Sequence, residues 1–186
     1  REPDMKTYHL SSANRSAEHY IMFSYGVSLR LSNYLFNSKP VARDFFKHLK
    51  GTTQRGLTDK HLDNLDYFKG LGAYHIVSKR FVEAMKSYLK EDVTFHAMQV
   101  SGRNTSHDLY LLQVNKTLPI IKETSFDLNN DRVFSPPIFK KNHDISFLIA
   151  REENVLMNHI VIVSDEFVSL CARHQLKINF RQTLTE

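Results

Sequence analysis

Apolar and polar residues follow the same order at two distant places in this chain. The first is Ile76-Val77-Ser78-Lys79-Arg80-Phe81-Val82, and the second is Ile162-Val163-Ser164-Asp165-Glu166-Phe167-Val168. Each reads as a short buried strand, a serine, and a helix that starts on a Phe-Val pair. Serine suits the cap position because its hydroxyl accepts a backbone N–H that the first helical turn leaves unpaired. Behind the first serine, Phe81, Val82, Met85, Tyr88 and Leu89 recur at helical steps; behind the second, Phe167, Val168, Cys171 and His174 do the same. One apolar stripe on each helix therefore faces a core. Each copy closes on an alternating segment, residues 93–98 and 177–180. An internal duplication and convergence under the same local rules both account for the likeness. Two copies are too few for a solenoid, which needs about three or more stacked repeats.

The remaining pattern is strand-rich. Residues 5–10 alternate weakly and predict a first strand, followed by a polar loop over 11–18. Residues 20–25 predict an aromatic-rich strand. Residues 27–36 predict a half-buried strand from Val27, Leu29 and Leu31, although Leu31, Tyr34 and Leu35 also suit a helix. Pro40 fits a first helical position and predicts a helix to about Lys50 that buries Val41, Phe45, Phe46 and Leu49, with Gly51 as its stop. Residues 51–56 then read as a polar loop, and residues 57–69 as a short or irregular helix. Residues 95–100 and 109–114 predict a long hairpin with a protruding polar tip, Ser-Gly-Arg-Asn-Thr-Ser-His-Asp. Pro119 argues against a regular central strand nearby. Residues 128–144 form the longest irregular stretch, which in a compact domain is functional or mobile. Residues 145–150 predict a buried strand, 151–158 a connector and 182–186 a tail. The expected class is α+β: largely antiparallel sheet with three to four helices and two similar strand–helix–strand units. The chain divides into an N-terminal region, 1–73, and a second region, 74–186, sharing one compact unit.

Composition changes this picture little. The 186 residues carry 41% hydrophobic and 24% charged side chains, ordinary globular values. There is no Trp and there are 13 Phe, so the core should be rich in Phe, Leu and Val. The single cysteine, Cys171, lies on an apolar helical stripe and reads as a small buried hydrophobe in a reducing compartment. No apolar run approaches the roughly 20 residues of a membrane span, and no secretory signal is evident. Met5 is a candidate start, which makes Arg1 to Asp4 an extension. The expected location is cytoplasmic. A net charge of +5 and a pI near 9.3 fit either a solvated surface or an acidic partner.

The search for chemistry finds structural explanations. Ten histidines are present, but none forms the i, i+4 pair beside a glutamate of a metalloprotease, and no cysteine pair exists. His107-Asp108 and His143-Asp144 would make a metal site only by converging in space. There is no phosphate-cradling glycine loop; Gly70-Leu71-Gly72 precedes a strand rather than a helix. Ser78 and Ser164 stand between strand and helix, where hydrolases place a nucleophile. The small flanking residues of such a strained turn are missing, and N-capping explains both. The expectation is therefore no catalytic residue, no metal and no cofactor. Basic residues are spread along the chain and interrupted by acids, so no nucleic-acid module is spelled out.

The last hundred residues carry a resemblance. The segments IVSKRFVEAMKSYL, YLLQVNKTLPII, ISFLIARE and IVIVSDEFVSLCARHQLKINFRQ, over residues 74–182, resemble the bacterial immunity-protein family eleven of polymorphic toxin systems, once catalogued as a domain of unknown function. Members similarly carry a mid-chain helix with the pattern S-x-x-hydrophobic-V and end on V-S-D-x-F-V before a short closing strand. The first seventy residues match only in the opening MKTYHL, and HQLKINF lacks the glycine common at that turn. The resemblance implies a non-enzymatic immunity protein of an effector–immunity pair in interbacterial competition, binding and neutralising a cognate toxin by occluding its active surface. A basic chain then suits a toxin with an acidic patch. The expected partner-binding residues are Arg103, Asn104, His107 and Asp108 at the hairpin tip, with Arg132, Phe134, Lys140 and Lys141 from the irregular stretch. The alternatives are a nucleic-acid-associated binding module and an enzyme whose site is dispersed in sequence.

Overall fold

The computed structural model describes residues 5–13, 19–127, 129–130, 132–133 and 136–185, so Phe134 and residues 1–4 lie outside the described set. The chain opens with β1 (Thr7–Ser11), β2 (Ile21–Met22) and α1 (Tyr25–Asn37), then β3 (Lys50–Thr53), α2 (Asp59–Asn64), β4 (Tyr67–Gly70) and β5 (Tyr74–Val77). After α3 (Lys79–Leu89) come the long strands β6 (Val93–Ser101) and β7 (Ser106–Val114). Four short strands follow: β8 (Thr117–Leu118), β9 (Phe126–Asp127), β10 (Arg132–Val133) and β11 (Ile149–Glu152). The chain closes with β12 (Val161–Ser164), α4 (Asp165–Arg173) and β13 (Asn179–Gln182).

Six strands close a barrel in the order β2-β3-β6-β7-β5-β4, and five form an open sheet in the order β13-β1-β12-β11-β8. The strand pairings are antiparallel except β2–β4, β3–β6 and β8–β11. The class is thus α+β with four helices, as the sequence predicts. The barrel takes β2, β3 and β4 from residues before 74 and β5, β6 and β7 from residues after, so both halves of the chain build one barrel.

Period-2 alternation lets each barrel strand feed two cores. Phe68, Ile76, Leu109 and Leu111 point into the barrel; their neighbours Tyr67, Val77, Leu112 and Val114 point outward into a second core. That second core is filled by Phe81, Met85 and Leu89 of α3, by Phe167, Leu170 and Cys171 of α4, and by Val161 and Val163 of β12. Ile162, between those two valines, faces a third core with Ile120, Phe139 and Phe147 on the sheet's far side. β12 therefore has both faces covered, which is why it reads as a continuous apolar run.

The repeated units have the same local structure. Ser78 accepts the Phe81 N–H (3.1 Å), and Ser164 accepts the Phe167 N–H (3.3 Å). In the first unit β7 lies antiparallel between β5 and β6; in the second β1 lies antiparallel between β12 and β13. Each is a β-α-β unit whose parallel strands are split by one antiparallel strand. The two helices meet, with the Phe81 and Phe167 rings 6.2 Å apart.

Several local expectations are corrected. Residues 27–36 are helix, not strand. Val27, Leu31 and Leu35 pack on the barrel core at steps of four, and Leu29, which the strand reading would bury with Leu31, is 51% exposed. No α-helix runs from Pro40 to Lys50; a single 3-10 turn spans Phe45–His48, and β3 begins at Lys50. Gly51 is a barrel residue rather than a helix stop: a Cβ there would lie 2.8 Å from the Ile21 side chain and 3.3 Å from Met98. Residues 57–69 divide into α2 and β4. The predicted strand at 145–150 starts later, with Ile145 exposed and β11 running from Ile149 to Glu152. The 182–185 tail is pinned: the buried Thr183 bonds Thr7 through paired hydroxyls (2.7 Å) and through its N–H (3.0 Å). Within the described part of the 128–144 stretch, β10 pairs with β9 just ahead of it and Phe139 is buried.

Candidate partner-binding surface

The predicted hairpin is the longest among the described residues. Nine rungs pair β6 with β7, from Val93↔Val114 to Ser101↔Ser106, and the Gly102 N–H closes the turn on the Thr105 carbonyl (2.8 Å). Such a tip would wave if it stood alone. Here α2 braces it. Thr58 and His61 form a capping box, with the His61 N–H on Thr58 Oγ1 (3.2 Å) and the Thr58 N–H on His61 Nδ1 (3.1 Å). The box holds Asp59 and Asp63 one turn apart on α2, where both face the hairpin.

His107 is the group both carboxylates face. Its Nε2 lies 2.7 Å from Asp59 Oδ1 and its Nδ1 3.1 Å from Asp63 Oδ1. Asp59 also accepts the Asn104 N–H (3.0 Å) and the Thr105 hydroxyl (3.1 Å). The His107 imidazole, then the Asn104 and Thr105 donors, hold the Asp59 carboxyl below the usual carboxylate range against partial desolvation. A Cβ at Gly102 would overlap the Asp59 carboxylate, so a larger residue there must push Asp59 off the tip.

Beside the braced tip runs an open groove of about 900 Å³, lined on one wall by residues 52–60 and on the other by residues 101–104. Arg55, Lys60 and Arg103 line it, and Asp59 is its sole described acid, engaged by His107 and the tip. No described aromatic side chain lines it.

The expected binding residues separate into groups. Arg103 and Asn104 are exposed and line the groove. His107 is only 8% exposed and acts as the internal brace, a correction to its expected place on the surface. Asp108 is exposed and bonds its cross-strand neighbour Gln99. Arg132 is exposed on β10. Lys140 and Lys141 are half-buried, with the Lys140 N–H on the Ile120 carbonyl and the Lys141 carbonyl accepting the Met5 N–H. None of these three lines the groove, and Phe134 is outside the described residues. Arg55 and Lys60 were not among the expected residues. Arg55 has one sequence signal, the polar run between Gly51 and Gly56; Lys60, inside α2, has none.

Ser78 and Cys171 are committed elsewhere. Ser78 donates its hydroxyl to Asp66 Oδ1 (2.6 Å) while capping α3. Cys171 is buried, and burial together with Asp66 pushes its thiol up to about 12. Among the described residues no three His, Cys, Asp or Glu side chains are grouped to hold a metal ion, and no helix is long and apolar enough to cross a membrane. Comparison with protein-family models and with curated proteins finds no match to this chain.

Proposed function

We propose that this protein is an immunity protein that neutralises a cognate bacterial toxin by covering its active surface, and that the tip groove is where it grips. The observation that carries the reading is a basic groove whose walls are fixed in advance by hydrogen bonds between α2 and the hairpin tip. Binding loses less entropy when the contacting loop is already ordered. Arg55, Lys60 and Arg103 face the groove, while the charge of Asp59 is taken up by the brace behind it. That arrangement suits an acidic surface on the toxin. Charges of this kind raise the rate of encounter more than they deepen the complex. The resemblance of residues 74–182 to immunity proteins points the same way. A single-stranded nucleic acid fits the groove less well, because bases need aromatic platforms to stack on.

The test is co-expression with the product of the adjacent gene, scored for rescue of growth. Wild-type protein should restore growth, and Arg55→Gln/Lys60→Gln/Arg103→Gln should fail to. In stopped-flow binding, added salt should slow association with little effect on dissociation. A salt-independent association rate, or full rescue by the triple variant, would remove the groove from the interface. Binding to nucleic acid in place of the toxin would replace the reading altogether.

A further inference from the structure

A second recess, of about 430 Å³, opens at the seam between the barrel and the five-stranded sheet and shares no lining residue with the tip groove. Five cationic or imidazole side chains line it: His9 of β1, Lys69 of β4, His75 of β5, His159 before β12, and Arg181 of β13. None of its described lining residues is an acid. The strand register explains why these groups meet. His9 stands directly opposite Arg181, and Lys69 directly opposite His75. Cross-strand partners share a face of the sheet, so a proton on either imidazole is repelled by the cation opposite. Two such pairs turned toward one recess, with no described carboxylate between them, leave an uncompensated positive field.

We infer that this recess is an anion-binding site for a small molecule bearing a phosphate group. Its volume lies in the range of small-ligand sites. Lys69 and Arg181, from different sheets, supply permanent positive charge, and the guanidinium fork matches phosphate geometry. His75 supplies an oriented donor. The buried Tyr67 hydroxyl lies 2.7 Å from His75 Nδ1, and with Tyr67 donating, the ring proton rests on Nε2. The His75 imidazole is depressed, first by burial and then by Lys69, His9 and His159; that of His9 is depressed by burial, then by Arg181 and Lys69, against a bond to the Val161 backbone. A bound dianion opposes the charge repulsion in both cases.

The experiment uses the full chain and inorganic phosphate, followed by the imidazole nitrogen resonances of the histidines at constant ionic strength. Phosphate should move His9, His75 and His159 saturably, with acetate giving little change, and the three imidazoles should titrate at higher pH when phosphate is bound. Lys69→Gln and Arg181→Gln should each weaken binding about tenfold, the loss expected for one charge-assisted contact in a partly solvated site. Arg181 is exposed, so its variant keeps the fold if that of Lys69 does not. Glycerol 3-phosphate binding at least as well as inorganic phosphate would assign a phosphomonoester. Arg103→Gln, in the tip groove, should leave phosphate binding unchanged. The absence of a saturable shift, equal shifts with acetate, or indifference to both Lys69→Gln and Arg181→Gln would overturn the site.

Discussion

Removing the Asp66 carboxylate should unfold this protein more readily than any surface change. Asp66 is 1% exposed and sits where β4, the cap of α3 and the approach to β13 converge. Its Oδ1 accepts the Ser78 hydroxyl (2.6 Å) and Arg80 Nε (2.8 Å); its Oδ2 accepts the Lys177 N–H (2.7 Å). Hydrogen bonds to a charged group contribute about 1.5–3 kcal/mol each when buried. The Arg80 side chain is 53% exposed, so its share is discounted to under about 1 kcal/mol. Asp66→Ala should therefore cost about 4 kcal/mol, mostly from the Ser78 and Lys177 donors left without an acceptor. For a chain of this length that lowers Tm by roughly 10 °C. Asp66→Asn keeps the shape but turns one acceptor into a donor facing a donor, and should cost about 2 kcal/mol. Arg80→Ala should cost under about 1 kcal/mol. Urea unfolding at constant m-value measures all three. An Arg80→Ala loss equal to that of Asp66→Ala, or an Asp66→Ala loss within about 1 kcal/mol of wild type, would refute the assignment of the energy to buried acceptors.

Other perturbations test other parts of the structure. The His75 imidazole is depressed from its ordinary 6.5 to about 4, so between those values the unfolded chain binds the extra proton. Stability is then intact above the unfolded value and falls as the pH drops toward the folded one, by up to about 3 kcal/mol. His75→Gln should flatten that acid limb in urea titrations, leaving the smaller part due to His9, His96, His143 and His159, all likewise lowered by burial. Cys171 should resist alkylation in the native protein and react once urea unfolds it; rapid native labelling would contradict its burial. Gly102→Ala should lower stability by about 1–3 kcal/mol through overlap with Asp59 and, on the proposed function, slow association with the toxin, while Gly26→Ala, with open space around it, should do neither.

Much of the fold was legible where one rule acted locally. The strand–serine–helix units were readable because an N-cap and a helical stripe each involve only a few neighbouring residues, and Ser78 and Ser164 cap as expected. The β6–β7 hairpin was readable because a polar tip separates two apolar runs. The residues around 27–36 were harder. Their alternation and their helical spacing share Leu31, and only the barrel core, which takes Leu35 and leaves Leu29 exposed, separates the two readings. Gly51 looked like a helix stop because the close approach of Ile21 and Met98 is a contact between distant segments.

The candidate surface divides the same way. Arg103 and Asn104 were visible as a polar tip, since exposure of a turn follows from its composition. That His107 turns inward was not, because its partners Asp59 and Asp63 lie 48 and 44 residues away. The closure of the barrel rests on strands as short as the two residues of β2, too few to show a period, and on parallel pairings that no turn specifies. The amino-acid order alone thus determined the capped helices, the long hairpin and the α+β class, all of which are decided by near neighbours. The tertiary structure decided how the barrel closes, which polar groups brace the tip, and which cations meet at the seam. Those depend on pairing across long stretches of chain, where the energy lies in contacts that local spacing does not encode.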